Sequence, residues 1–245
     1  MASIRECAKM ASLVREELRA MVRPGIETRE MDMFVEKRLA KLGGKPAFKG
    51  YRGYPACVCV SVNEEVVHGI PGTRKLVVGD LVSVDVGVEY KGFFADTAFS
   101  EGAGEIDHAT RKLMSVTRAA FWEGVRQARA GNHVSDISSA VQRFVEAAGF
   151  SVVREFVGHG IGHRMHEDPQ VPNYGMPGQG MILRAGQMLA IEPMVNAGGP
   201  AVRVLENGWT AVAVDGRRSA HFEHTVLVTT EEPEVLTLAE GEACA

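Results

Sequence analysis

Gly79-Asp80-Leu81-Val82-Ser83-Val84-Asp85 runs from a glycine through an apolar stretch to a carboxylate six positions on. A counterpart stands in the second half of the chain, Gly186-Gln187-Met188-Leu189-Ala190-Ile191-Glu192. An ionised carboxylate inside an apolar strand has to be paired or neutralised. Two of them at matching positions mark a site shared by two similar halves. Further matches follow in the same order: His68-Gly69-Ile70 with His159-Gly160-Ile161, and Phe94-Ala95-Asp96-Thr97 with Phe222-Glu223-His224-Thr225. Internal similarity of this kind is the trace of a repeated architecture. It predicts a pseudo-twofold α+β domain with its site where the halves face each other.

Outward from these strands the period changes. Ile4, Cys7, Ala11, Val14, Leu18 and Met21 form a helical stripe over Ser3–Val22, ended by Pro24-Gly25. Thr28 is the expected N-cap of a second helix carrying Met31, Phe34, Val35, Leu39 and Leu42, closed by Gly43-Gly44. Lys45–Pro55 is expected to be a loop, with Phe48, Tyr51 and Tyr54 among its glycines. Strands are expected at Cys57–Val62, Leu81–Glu89 and Phe93–Phe99, with Cys57 and Cys59 on one face. A helical block follows, with Leu113, Val116, Ala120 and Val125 in one segment and Ile137, Val141, Phe144 and Val145 in the next, closed by Gly149. Strands return at Val152–Val157, Met188–Val195, Ala201–Leu205, Trp209–Val214 and Phe222–Thr229, with a turn at Asp215-Gly216. With no polar linker, residues 1–245 are expected to form a single domain, a helical segment over 1–45 and the site-bearing core over 46–235.

The 245 residues, 45% of them apolar, are enough for a large core. A net charge of −4 gives no reason to expect nucleic acid or an anionic membrane as partner. No apolar run approaches the ~18 residues of a membrane span, and no apolar signal core follows Met1. Cys7, Cys57, Cys59 and Cys244 are expected to be reduced thiols in a cytoplasmic protein.

Phe156-Val157-Gly158-His159-Gly160-Ile161-Gly162-His163-Arg164-Met165-His166-Glu167-Asp168-Pro169 places three imidazoles close together. His159 and His163 have the spacing of a helical zinc pair, but the alternating Gly158, Gly160 and Gly162 argue for extended backbone that something approaches closely. At ~3.3 Å per residue those two imidazoles are then too far apart to share one ion.

The candidate metal ligands are Asp85, Asp96, His159, Glu192 and Glu223. A buried ion pair is the alternative for Asp85 and Glu192, yet no basic residue recurs at matching positions in the strand interiors. Four carboxylates exceed the charge of one divalent ion and suit two, which points to metal-assisted hydrolysis. The oxygen-rich set suits Mn²⁺, Fe²⁺ or Co²⁺ at least as well as Zn²⁺. His68 and His166 are left as hydrogen-bond donors to a substrate's carbonyl oxygen and leaving nitrogen. His163 and His221 lack the support of the repeat and are only candidates for places beside the ligands, with His221 on the face of Glu223, His224 on the opposite face, and His108 exposed at a helix start.

Tyr51-Arg52-Gly53-Tyr54-Pro55, Ser61-Val62-Asn63-Glu64-Glu65-Val66-Val67-His68-Gly69-Ile70-Pro71, Val84-Asp85-Val86-Gly87, Ala95-Asp96-Thr97, Gly158-His159-Gly160-Ile161-Gly162, Met165-His166-Glu167, Ile191-Glu192-Pro193-Met194 and Phe222-Glu223-His224-Thr225 resemble, in order and spacing, the type I methionine aminopeptidases of the bacterial kind. The resemblance implies the pita-bread fold and a dinuclear centre of Co, Mn, Fe or Zn ions. In it Asp96 and Glu223 would bridge the ions, Asp85 would chelate one, and His159 and Glu192 would bind the other. Glu192 would also handle the proton of the attacking water, His166 would bind the carbonyl oxygen and His68 the scissile nitrogen. Tyr51, Tyr54, Cys59, Met165 and Trp209 would form the methionine pocket, with Phe48 nearby. The implied substrates are nascent polypeptides and peptides with N-terminal methionine before a small residue, as in Met1-Ala2-Ser3 itself. A cytoplasmic monomer, with the ribosome as a possible docking partner, is the accompanying expectation.

Three positions depart from the pattern: Met165 where phenylalanine is common, Val67 where some relatives have cysteine, and His163 in place of arginine. Two alternatives stand beside this reading. A proline-directed peptidase of the same fold would usually carry an additional N-terminal domain, and a peptide-binding protein without catalysis would lack one or more of the ligands, all of which are present.

Overall fold

Which side chains meet the helices and which meet the site is decided by alternation along the strands. The computed structural model describes residues 2–239 and 241–242; Met1 and Cys244 lie outside the described residues. On the Leu81–Tyr90 strand, Val82, Val84, Val86 and Val88 turn into one apolar cluster with helix α1 (Ala2–Met21) and helix α2 (Thr28–Leu42). Asp85, between them in sequence, turns the other way, as the period of two requires.

Leu81–Tyr90 pairs antiparallel with Phe93–Gly102 over its whole length, and Cys59–Val62 pairs on its other side. From Phe93–Gly102 the sheet continues through Glu223–Leu227, Met188–Ile191 and Gly158–Gly160 to Glu167–Val171. Helices α3 (His108–Val125) and α4 (Val134–Ala147) cover this second half, with Phe121, Val125 and Ile137 packed on Leu189, Ile191 and Val226. All four helices thus lie on one face of the sheet, and the carboxylates Asp85, Asp96 and Glu223 point from the other. The repeat is visible in the backbone. Gly79 and Gly186 both have positive φ, +95° and +91°, and each precedes a strand leading to a site carboxylate, Asp85 within Leu81–Tyr90 and Glu192 directly after Met188–Ile191.

Several boundaries differ from expectation. The N-cap of α2 is Glu27, whose side chain and that of Glu30 form a reciprocal capping box. Thr28 instead donates to Gly72 O (3.1 Å) and accepts from Gly72 N–H (2.8 Å), tying the helix to a distant turn. The first strand starts at Cys59, so Cys57 and Cys59 do not share a strand face. Cys57 packs in the helical cluster, its N–H bonded to Asp32, while Cys59 packs with Tyr54 and Met165. Within the expected Lys45–Pro55 loop, Lys45–Pro46 pairs at the sheet edge and Tyr51–Gly53 forms a single 3₁₀ turn.

The strand expected over Met188–Val195 breaks into Met188–Ile191 and Met194–Asn196 around Glu192-Pro193, where proline has no N–H for the ladder. Phe222 separates Ser219–His221 from Glu223–Leu227 in the same way, its N–H reaching Pro193 O at 3.3 Å. The strands expected over Val152–Val157, Ala201–Leu205 and Trp209–Val214 shorten to Ser151–Val152, Val202–Val204 and Ala211–Ala213.

Candidate active site

A cavity of about 300 Å³ opens on the helix-free face of the sheet, and its lining includes every expected ligand, catalytic and pocket residue. Asp85, Asp96, His159, Glu192 and Glu223 meet there from both halves, together with His68, His166, Tyr51, Tyr54, Cys59, Met165 and Trp209. The extended glycine stretch is as expected, and the close approach comes from neighbouring strands. A Cβ on Gly158 would stand 2.4 Å from Ala190 O, and one on Gly160 would stand 2.3 Å from Asp168 O. That tight pairing places His159 in the middle of the site.

The protonation state of His159 follows from its neighbour. Its Nδ1 lies 2.9 Å from Gly160 O, which can only accept, so Nδ1 carries the proton and Nε2 presents a lone pair. That Nε2 is 3.7 Å from Glu192 Oε1 and 3.9 Å from Asp96 Oδ2. The acids are fixed through their backbone. Thr225 accepts from Asp96 N–H (2.9 Å) and donates to Asp96 O (2.9 Å), while Thr97 Oγ1 donates to Glu223 O at 2.8 Å.

The acids of this site are crowded against one another. Burial raises Asp96 to about 7, and burial with neighbouring acids holds Asp85, Glu192 and Glu223 well above the usual carboxylate range. Asp85 Oδ1, Glu223 Oε1 and His221 Nε2 are buried without a hydrogen-bond partner. Orphaned acceptors packed against like charges are costly unless a cation joins them. The donor set fits divalent metal. In each of two groups, Asp96–His159–Glu223 and Asp85–His221–Glu223, the donor atoms lie within 4.8 Å of one another, and Glu223 belongs to both.

Around this floor stand the other imidazoles. His166 Nδ1 is 2.9 Å from Tyr51 Oη, and its ring lies 4.1 Å from that of His159. Burial lowers His166, takes His68 down to about 4, and takes His159 and His221 down to about 3, so all are neutral at pH 7. His68 has φ +60° and sits edge-on to Phe156 (5.2 Å) and Trp209 (6.4 Å). Tyr54 Oη lies 2.9 Å from Gly69 O, supporting the same turn, and its ring meets Trp209 edge-on at 5.1 Å.

Two histidines fall elsewhere. His163 is exposed, tilted against Phe93 at 4.4 Å with Nδ1 donating to Gly92 O, and does not line the cavity. His224 faces the helices, where its Nε2 accepts from the buried Arg15 guanidinium at 2.8 Å, while its Nδ1 lies 2.9 Å from Thr237 Oγ1. His108 opens α3, exposed as expected. Phe156, Val157, Arg52 and Glu155 line the cavity without having been singled out as pocket residues, and Val67, singled out as bearing on pocket shape, lines it as well. The position of Phe156 and Val157 in the glycine-histidine stretch was the available signal.

Residues 2–230 match metallopeptidase family M24. The chain is 47% identical over 234 residues to methionine aminopeptidase 1 of Bacillus subtilis, covering 96% of this chain and 94% of that protein. It is 48% identical over 235 residues to the methionine aminopeptidase of Clostridium perfringens, again covering 96% and 94%. The crystal structure of methionine aminopeptidase from Thermotoga maritima superposes with a TM-score of 0.94 at 47% identity, covering 96% of this chain and 95% of that one. The backbone carrying the carboxylate floor and the glycine-spaced histidines is therefore the pita-bread fold, and the chain belongs to metallopeptidase family M24, among its type I methionine aminopeptidases.

Proposed function

We propose that the cavity removes N-terminal methionine from polypeptides whose second residue is small, with Asp85, Asp96, His159, Glu192 and Glu223 as ligands of two divalent ions. The observation that carries this is the pair of donor groups sharing Glu223 at the base of a cavity whose other wall is apolar and soft. Bound there, the ions supply Lewis acidity for a water and for the substrate carbonyl.

The chain's own groups do the rest. The Glu192 carboxylate keeps 13% of its side chain open to the cavity, takes a proton from the attacking water and returns it to the departing amine. With Tyr51 O–H donating to Nδ1, His166 carries its own proton on Nε2 and offers it to the carbonyl oxygen as negative charge develops. Neutral His68 meets the scissile nitrogen. Tyr54, Cys59, Met165 and Trp209, with Phe48 and Tyr51 packed against them, enclose the methionine side chain, whose thioether suits such a wall.

Co²⁺, Mn²⁺, Fe²⁺ and Zn²⁺ all suit the donors. The working form is a cytoplasmic monomer with its core over 46–235 in a single domain, acting on nascent chains as they leave the ribosome. No helix among the described residues is long and apolar enough to cross a membrane.

Hydrolysis of Met-Ala-Ser, Ala-Pro-Ser, Leu-Ala-Ser and Met-Pro by chelated protein reconstituted with Mn²⁺ or Co²⁺ tests the reading. Metal-dependent release of methionine from Met-Ala-Ser alone is expected. Cleavage only before proline would keep the centre and overturn the substrate.

A further inference from the structure

His221 is the one buried imidazole at the centre that the proposed ligand set leaves without a role. It ends the Ser219–His221 strand, is 2% exposed, and its Nε2 has no hydrogen-bond partner. That atom lies 3.7 Å from Glu192 Oε2 and 3.8 Å from Glu223 Oε2. Both distances are too long for hydrogen bonds. The Glu223 distance does match two donors on one ion, since atoms each ~2.1 Å from a metal and ~90–130° apart are separated by ~3.0–3.8 Å, while in the proposed set Glu192 belongs to the neighbouring ion with His159. His159 Nε2 stands at nearly the same distances, 3.7 and 3.9 Å, from its own carboxylate oxygens.

The orphaned atoms make the same point independently. Asp85 Oδ1, Glu223 Oε1 and His221 Nε2 each lack a partner, and they belong to the three residues of one donor group. The other group is built on His159, and the two have only Glu223 in common.

Resting on the dinuclear reading above, we infer that His221 is a sixth metal ligand, giving each ion of the pair one imidazole. The pseudo-twofold frame then carries a centre more balanced in nitrogen than the sequence-derived ligands imply. A second imidazole favours the later, softer divalent metals, so its loss weakens Co²⁺ and Zn²⁺ binding more than Mn²⁺ binding. His221→Gln keeps a buried polar side chain while removing the ring nitrogen.

Proton NMR of the protein loaded with two equivalents of Co²⁺ tests this, because each coordinated imidazole contributes one paramagnetically shifted, exchangeable N–H resonance. Two such resonances are expected in the wild type and one in His221→Gln. The variant should also bind Co²⁺ at least about tenfold more weakly in calorimetric titration, the scale of loss that even supporting residues of metal sites produce. The wild-type count needs no variant and stands if His221→Gln does not fold. One resonance in the wild type with two Co²⁺ bound, or two persisting in the variant, overturns the ligand assignment and leaves the dinuclear centre intact. Fewer than two Co²⁺ bound by the wild type overturns the dinuclear reading and this inference together.

Discussion

At the level of single residues, His68 and His166 are separable from the proposed metal ligands. Neither is in the donor clusters, and both are neutral through burial. His68→Ala is therefore expected to lower kcat for Met-Ala-Ser by ~10²–10⁴, the usual span for a positioned proton-handling or hydrogen-bonding group, with metal content by elemental analysis unchanged. A matching fall in metal content would make His68 a structural support instead. Tyr51→Phe is a subtler probe. It removes the O–H that, in the proposed tautomer, donates to His166 Nδ1 and leaves the proton on Nε2, and the loss of roughly one hydrogen bond, ~1 kcal/mol, corresponds to roughly fivefold in kcat. The effect should appear in kcat with KM little changed, since the bond acts on developing charge.

Among the elements, the Gly158–Gly160 strand bears the tightest constraint. In Gly160→Ala the new Cβ would meet Asp168 O at 2.3 Å, a backbone atom that no rotamer change can move aside. The strand must part from Glu167–Val171 and carry His159 away from Asp96 and Glu192. A cost of ~1–3 kcal/mol in thermal unfolding of the chelated protein, the usual range for overpacking, is expected along with weakened metal binding. Gly72→Ala, which meets nothing within 4 Å, is the control and should be neutral in both measurements.

This strand also shows what the sequence could and could not convey. Alternating glycines announced extended backbone and close approach, because those follow from local sterics. That the approaching groups would be Ala190 and Asp168 carbonyls depends on which strands pair, and no periodicity encodes partners. Asp85 and Glu192 were legible because a carboxylate in an apolar run needs explanation wherever the run goes, and Asp96 and Glu223 because they stand at matching places in the two halves. Thr28 was misplaced by one residue as a cap because Gly72, distant in sequence, takes its hydroxyl. The break at Phe222 that lets His221 and Glu223 converge on Glu192 is likewise tertiary in origin. Spacing predicted their shared face but not the shared donor group.

For the whole molecule, the consequence of gathering acids from both halves is a conflict between folding and charge. The carboxylates have folded-state pKa values raised above their unfolded values, Asp96 to about 7 and Asp85, Glu192 and Glu223 further through burial and one another. Groups shifted upward in this way contribute stability that is fully present below the unfolded value of ~4 and is lost as pH rises through the folded one. His159 and His221 at about 3, and His68 at about 4, are shifted downward and act in the opposite sense. Their contribution grows as pH rises toward the unfolded value of ~6.5 and is constant above it. Above ~6.5 the carboxylates alone remain, so the chelated protein should lose stability steadily from there to pH 8. On the proposed ligand set, metal loading requires these same acids deprotonated and therefore binds more tightly as pH rises. Free metal at 100 times Kd adds ~2.7 kcal/mol, worth ~5–11 °C in a chain of this size. The gap in Tm between loaded and chelated protein should accordingly widen between pH 6.5 and 8 at fixed metal concentration, as scanning calorimetry would measure. A gap that stays constant across that window would mean that the acids are already compensated by protein groups, and the cluster would then be a structural ion-pair network rather than a site held open for two cations.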